Sequence, residues 1–166
     1  MGDMIAHPLW HDLLRDCFSS TEYLSLATHG SGGPWVNPVY FAWDEKFSLY
    51  FISELNCLHM DNIAAHPEVA CAIYSTGQSS FSDVCGAYAR GMAKILMTPD
   101  EKERADEIYY GRRYPDDRDG KKKNADGYRI DPNWHFVKIT LTGLWYFDTR
   151  HFGERRVKVP ETVWAD

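Results

Sequence analysis

The sequence has no long apolar run, no excess of basic charge and no clustered cysteines, and each absence narrows what the chain can be. No stretch approaches the roughly 20 consecutive apolar residues of a membrane-spanning helix, so no membrane span is expected. The opening MGDMIAHPLWHDLL carries neither the basic leading segment nor the apolar stretch of a secretory signal. The formal net charge is −6 at pH 7. A phosphate backbone demands basic surface, so no nucleic-acid partner is expected. The four cysteines, Cys17, Cys57, Cys71 and Cys85, lie far apart without a C-x-x-C pair. That is not the spacing of a zinc site, and no metal is expected. Without an export signal, reduced thiols and a cytoplasmic location follow. The glycine cluster Gly30-Ser31-Gly32-Gly33 has neither the Lys-Ser or Lys-Thr nor the following helix of a phosphate loop, so it reads as a hairpin turn.

What is present is enough apolar material for one core. With 166 residues, 44% of them hydrophobic, residues 1–166 read as one domain. Pro8 to Phe18 reads as a helix within an N-terminal segment 1–20. Leu9, Leu13 and Phe18 join Trp10, Leu14 and Cys17 on a broad apolar face. His7 and His11 are four apart, but no carboxylate completes a metal motif, and two solvent-facing histidines are the plainer reading. Tyr23–His29 alternates as a strand. Trp35–Asp44 is the next, with Pro38 marking an edge, a bulge or a gap, because proline has no N–H for a sheet ladder. Leu49–Ser53 returns antiparallel.

Val69–Tyr74 is an apolar strand in which Cys71 serves as a small core residue. A polar loop covers Thr76–Asp83. Val84–Met97 is long and extended, with Gly86 and Gly91 predicting bends or close approach. Thr98, Pro99 and Glu101 spell a capping box. The helix they open is expected to run to about Tyr110, with Ala105, Ile108 and Tyr109 inward, and to end at Gly111. A polar loop follows over 111–133. His135–Asp148 is a long strand with a break at Gly143, and the segment ending RVKVPETVW is a last strand or an arm. The sum is a mainly β chain: about six antiparallel strands with flanking helices, which favours a closed or split barrel.

The chain is organised around Leu49–Pro67, LYFISELNCLHMDNIAAHP. A strand ending in Ser53 turns through Glu54, Leu55 and Asn56 into a short helix over 57–65, on which Leu58, Asn62 and Ala65 share a face. Pro67 stops the helix. Such a corner presents unpaired N–H groups and a positive dipole end, and so can hold a phosphate; the same residues also suit a corner that binds nothing. Cys57 opens the helix, where it is either a packed thiol or a reactive one.

The ordered set of these pieces resembles the pyridoxamine 5′-phosphate oxidase-like superfamily of FMN-binding split β-barrels. The match runs from Leu26 to Leu96. It comprises the glycine turn, Val36-Asn37-Pro38-Val39-Tyr40-Phe41, Leu49–Ser53, Cys57-Leu58-His59, Asn62-Ile63, Pro67-Glu68-Val69 and Ala89-Arg90-Gly91. The resemblance implies an antiparallel six-stranded split barrel that dimerises, with FMN in two interface clefts. It puts the flavin ring near Asn37, Val39 and Tyr40. Ser53, Cys57, Leu58, His59 and Asn62 fall around the phosphate, with His59 in the usual lysine position. Trp145, in the last long strand, is the tryptophan expected nearest the cofactor; Trp35, Trp43 and Trp134 are further stacking candidates. The family often has Ser-Arg-Lys where this chain has Cys57-Leu58-His59. Val36 and Phe41 replace basic residues of the true oxidase, and Gly86 replaces a glutamine. Its arginine-containing substrate motif has no clear counterpart, although Arg150, Arg155 and Arg156 lie in that region.

These departures turn the expectation away from vitamin B6 oxidation and towards an FMN-dependent oxidoreductase of another small molecule. The alternative is a non-enzymatic flavin or haem binding or storage protein, with His59 or His135 as axial ligand. Deazaflavin is a further cofactor candidate within the superfamily.

Overall fold

The computed structural model describes residues 9–77, 84–116 and 131–165. Helix α1 (Trp10–Ser19) leads into β1 (Tyr23–Gly30), β2 (Gly33–Tyr40), β3 (Ala42–Trp43) and β4 (Leu49–Glu54). Then come α2 (Leu58–Ala65), β5 (Glu68–Tyr74), β6 (Cys85–Ile95), α3 (Pro99–Arg113) and β7 (Trp134–Asp148). A one-turn α4 (Thr149–Phe152), β8 (Arg156–Lys158) and a 3-10 turn (Glu161–Val163) complete the described order. The strands form one antiparallel sheet in the order β2-β1-β5-β6-β7-β4-β3, with β8 added to β7.

The two ends of that path, β2 and β3, are separated in sequence by Phe41 alone. The sheet therefore curls until one residue joins its ends, which is the half-barrel that the alternating strands predict. The expected single strand Trp35–Asp44 is divided at Phe41 between opposite ends of the sheet. Among the described residues, this division and the short β8 give eight strands in place of about six. Pro38 does lie on an edge strand, where its missing N–H costs no ladder bond.

Inward positions alternate as expected. Leu24, Leu26, Leu49, Phe51, Ile73, Val137, Ile139 and Leu144 fill the barrel, and Leu14, Cys17 and Phe18 of α1 plug it. Cys71 lies in the same core. Leu9 precedes the helix and is exposed rather than part of its apolar face. A second cluster, Tyr50, Leu96, Ala105, Tyr109, Tyr110 and Phe136, seats α3 on the outside of β4 and β7.

Helix α3 starts at the predicted capping box but passes through Gly111 to Arg113. Glycine only weakens a helix, and tertiary contacts override it here. The Arg112 guanidinium donates to the backbone carbonyls of Phe18, Thr21 and Phe41 and lies 4.3 Å from the ring centres of both Phe41 and Trp43. Arg113 donates to the Tyr109 and Tyr114 hydroxyls at 2.8 and 3.2 Å. Residues 111–113 are thus helix, not the start of the polar loop. The rest of that loop between 117 and 130, positions 78–83 of the Thr76–Asp83 loop, and His7 lie outside the described residues.

A register shift in the β6–β7 pairing sets Arg90 opposite Gly143 and Gly91 opposite Leu141, leaving Thr142 as the bulged residue. Gly91 is required there. A Cβ on it would lie 2.5 Å from the Ile139 side chain and 2.7 Å from the Thr140 carbonyl.

Candidate functional site

Strand β4 delivers Ser53 to the start of α2, and the following turn folds the chain back on itself. Cys57 has the extended backbone of an N-cap residue, but its side chain makes no cap hydrogen bond. Its thiol donates instead to the Glu54 carbonyl at 3.0 Å. Ser53 Oγ lies 2.8 Å from His59 Nε2, and Cys57 Sγ lies 3.5 Å from Ser53 Oγ and 3.4 Å from His59 Nδ1. Three of the predicted site residues therefore form one contact cluster. Burial pushes the His59 pKa below its ordinary value, because a charged imidazole loses hydration there.

Leu58 points outward and is exposed. Asn62 turns the other way. It is buried, and its Nδ2 donates to Thr28 Oγ1 at 3.1 Å, which ties α2 to β1. The inward face of α2 is Met60, Asn62 and Ile63. The Leu58, Asn62 and Ala65 face read from the spacing is therefore not the packed one. The helix meets the barrel obliquely, and the spacing of a short helix does not fix that approach.

On edge strand β2, Asn37 and Val39 stand opposite Leu26 and Leu24, and Val39 is buried. Asn37 Nδ2 donates to the Pro38 carbonyl at 3.4 Å, while its Oδ1 is buried with no hydrogen-bond partner. Tyr40 belongs elsewhere. Its ring packs edge-on against Tyr23 and Tyr109, with the Arg113 guanidinium 4.8 Å from its centre. Burial raises its pKa against the opposing pull of Arg112 and Arg113.

Trp145 lies on the outer face of the sheet, in a groove of about 580 Å³ shared with Ser25, Ala70, Tyr88, Arg90 and Arg156. The structure thus divides the predicted residues among four places: the α2 corner, the β2 edge, the ring cluster of Tyr40 against α3, and this groove. Reading the spacing missed Tyr88 and the joint position of Arg90 and Arg156. The available signal was the two-residue alternation that sends Ser25, Ala27, Ala70 and Ala72 outward as a strip of small residues.

A flavin mononucleotide fits these residues in part. At β2, the unpartnered Asn37 Oδ1 suits a ring that carries an N–H donor. At α2 the phosphate end fits poorly. Cys57, Leu58 and His59 supply no permanent cation, His59 favours its neutral form, and Asp61 puts a carboxylate in the first turn. Among the described residues, no three His, Cys, Asp or Glu side chains gather as a metal site. No helix among them is long and apolar enough to cross a membrane.

Comparison with solved structures supports the architecture. A conserved hypothetical protein from Mycobacterium tuberculosis superposes with a TM-score of 0.72 at 18% identity, covering 96% of each chain. A heme binding protein from Mycobacterium smegmatis gives 0.73 at 17% identity, covering 97% of this chain but only 62% of that one. This chain thus spans less than two thirds of that protein. A FAD-binding protein from Mesorhizobium loti gives 0.59 at 18% identity, covering 80% of this chain and 88% of its own. At such identities the likeness concerns the fold alone. No curated protein is significantly similar in sequence. The family described as pyridoxamine 5′-phosphate oxidase matches residues 11–148, most of the length. The chain belongs to the pyridoxamine 5′-phosphate oxidase family of split β-barrels.

Proposed function

We propose that the protein is a homodimeric FMN-binding oxidoreductase acting on a small molecule other than the B6 vitamers. The observation that carries the reading is Asn37 Oδ1, a buried acceptor without a donor on an edge strand. A ring N–H arriving there removes the cost of that orphaned oxygen, about 1 to 3 kcal/mol. Bound flavin supplies the redox chemistry. Asn37 and Val39 hold and orient its ring. Tyr40, Ser53, Cys57, Leu58, His59, Asn62 and Trp145 are the surrounding residues carried over from the family pattern. Tyr23, Trp35, Val36 and Tyr74 are exposed on β1, β2 and β5. That apolar surface supports pairing with a second copy, which would cover the site and exclude water.

The B6 reading is disfavoured because the family's arginine-containing substrate motif is not matched. A second reading, haem binding, is favoured by His135, whose buried Nδ1 has no hydrogen-bond partner, as a ligating nitrogen requires. The heme binding protein from Mycobacterium smegmatis lends this reading a structural parallel. Deazaflavin remains a third cofactor of the same planar class.

An absorbance spectrum of the purified protein, followed by FMN titration, separates the readings. Flavin bands and a saturable titration that Asn37→Ala weakens support the proposal. A Soret band that His135→Ala removes replaces it with the haem reading. Light scattering at micromolar concentration should return about twice the 19.2 kDa chain mass, and a stable monomer would remove the two-copy site.

A further inference from the structure

Two buried thiols that take no part in the proposed site meet where α1 plugs the barrel. Cys17 projects from the packed face of α1 and is fully buried, while Cys85 opens β6 and is 8% exposed. Cys17 Sγ lies 3.8 Å from the Ile73 carbonyl oxygen and accepts from the Ala87 backbone N–H. Ile73 and Ala87 are cross-strand partners in the β5–β6 pairing. Cys85 and Ala87 are two apart on β6 and turn to the same, inward side. These contacts hold the Cys17 sulfur over the start of β6, and there the two thiols are hydrogen-bonded to each other.

The surroundings of the pair are not those of two small apolar residues. Cys85 stands opposite Asp148 in the β6–β7 pairing and is hydrogen-bonded to Tyr146. Arg150 meets the Asp148 carboxylate through Nε and Nη2, at 3.2 and 2.9 Å. The hydrogen bond from Cys17 holds the Cys85 pKa below its ordinary value, with help from the Arg150 charge and against burial and the charge of Asp148. The same hydrogen bond, together with burial, pushes the Cys17 thiol up. The pair is therefore asymmetric: the outer sulfur takes the thiolate form and the inner one keeps its proton. Cys71, elsewhere in the core, is pushed up to about 12 by burial alone.

We propose that Cys17 and Cys85 are a redox-active dithiol, which a peroxide converts to a disulfide between α1 and β6. In the first step the Cys85 thiolate attacks one peroxide oxygen. The O–O bond breaks, Cys85 becomes a sulfenic acid, and the departing hydroxide takes up the proton that Cys85 gave up. In the second step the Cys17 sulfur attacks the Cys85 sulfur. The S–S bond forms, the S–O bond breaks, and the hydroxyl leaves with the Cys17 proton as water. One peroxide is reduced to two waters while two thiols lose two electrons. Thiols already in hydrogen-bond contact reach the S–S distance of about 2.05 Å by side-chain rotation. The product ties the helix that plugs the barrel to the sheet around it and closes a long loop in the unfolded chain.

The test treats the full chain with hydrogen peroxide in modest molar excess, blocks the remaining thiols with iodoacetamide in denaturant, and maps the unreduced peptides by mass spectrometry. A linked Cys17–Cys85 peptide pair should appear, two hydrogens lighter than the separate peptides. Alkylated Cys17 and Cys85 should be lost together, Cys71 should stay alkylated, and dithiothreitol should restore both thiols. Cys17→Ser should stop the reaction at the Cys85 sulfenic acid, trapped as its dimedone adduct, and Cys85→Ser should leave Cys17 open to alkylation. The oxidised chain should melt above the reduced one. Thiols that serve only as packing predict that both stay alkylated under peroxide that oxidises the half-buried Cys57, and that outcome would overturn the proposal. So would Cys85 driven to the sulfinic acid in the parent with Cys17 intact, or an oxidised chain that melts below the reduced one. The peptide map of the parent decides the matter even where a serine variant fails to fold.

Discussion

Ser53 Oγ lies 2.8 Å from His59 Nε2 at the junction of β4 and α2, so the imidazole meets a neutral hydroxyl there. A partly buried imidazole bonded to a serine hydroxyl has no charged partner to stabilise a proton. Its pKa is accordingly lowered by burial. The folded state prefers the neutral form more than the unfolded chain does.

The sign of the pH dependence follows. A depressed folded pKa contributes stability above the unfolded value of about 6.5 and loses it as pH falls through the folded one. His59→Gln should therefore flatten the decline in melting temperature between pH 7.5 and 5. A proton titration of His59 followed by NMR should show a midpoint below 6.5 in the ligand-free protein. A midpoint above that value, or a variant with the parental slope, would refute this account. His59→Lys should strengthen FMN binding where the phosphate lies at α2, because it adds the permanent cation that Cys57, Leu58 and His59 do not supply, and unchanged affinity would put the phosphate elsewhere.

Gly30 and Asn62 are predicted to be coupled. A Cβ on Gly30 would come within 2.1 Å of Asn62 Oδ1, the side chain whose amide donates to buried Thr28. Gly30→Ala should cost about 1 to 3 kcal/mol by overpacking. Asn62→Ala should cost about 1 to 3 kcal/mol by stranding Thr28 Oγ1. The double variant should cost clearly less than the sum, because removing the amide makes room for the methyl. Urea unfolding of the four proteins measures the coupling, and strict additivity would show that the two residues do not press on one another.

Arg112 is predicted to be the clasp of the barrel. Its guanidinium donates to the carbonyls of Phe18, Thr21 and Phe41, which belong to α1, the approach to β1 and the β2–β3 joint. Arg112→Ala should destabilise by about 2 to 4 kcal/mol, from carbonyls left without donors and from lost ring contacts. Arg112→Lys should recover little of that loss, because an ammonium has neither the planar fork nor the face that stacks on Phe41 and Trp43. Full rescue by lysine would mean that charge alone matters there.

The legibility of this fold in its sequence depended on range. Period-two alternation marked the inward Leu24, Leu26 and Thr28, and the Thr98, Pro99, Glu101 signature marked the start of α3, because these are local properties of the backbone. The end of α3 was not legible. It is decided by carbonyls far from Arg112 in sequence, which no local pattern reports. The division at Phe41 was hidden for the same reason: both sides look like strand, and only barrel closure assigns them to opposite ends of the sheet. At the candidate site, the turn from Ser53 to His59 was readable because six residues span it. That Arg90 and Arg156 line one groove depends on three strands in register, and single-chain spacing cannot carry it.

The last prediction concerns Asp148, which closes β7 and caps α4. Its carboxylate is fully buried. Oδ1 accepts from the Arg150 backbone N–H at 2.9 Å and from its Nε at 3.2 Å. Oδ2 lies 2.9 Å from Arg150 Nη2, 3.1 Å from His151 Nδ1 and 3.3 Å from the Tyr146 hydroxyl. Burial by itself would raise the carboxyl pKa, but the hydrogen bonds from Arg150 and His151 outweigh it and hold the pKa below its ordinary value. A depressed carboxyl pKa adds stability that is complete above the unfolded value of about 3.9 and is lost as pH falls through the folded one. Asp148→Asn keeps the shape and one acceptor for the Arg150 backbone, but removes the negative charge that faces Arg150 and His151. It should cost about 1.5 to 3 kcal/mol at pH 7 and flatten the acid limb of the stability curve below about pH 4. Thermal unfolding of both proteins from pH 3 to 7 checks the two effects together. Equal stability at neutral pH with parallel acid limbs would show that the carboxylate gains nothing from its partners.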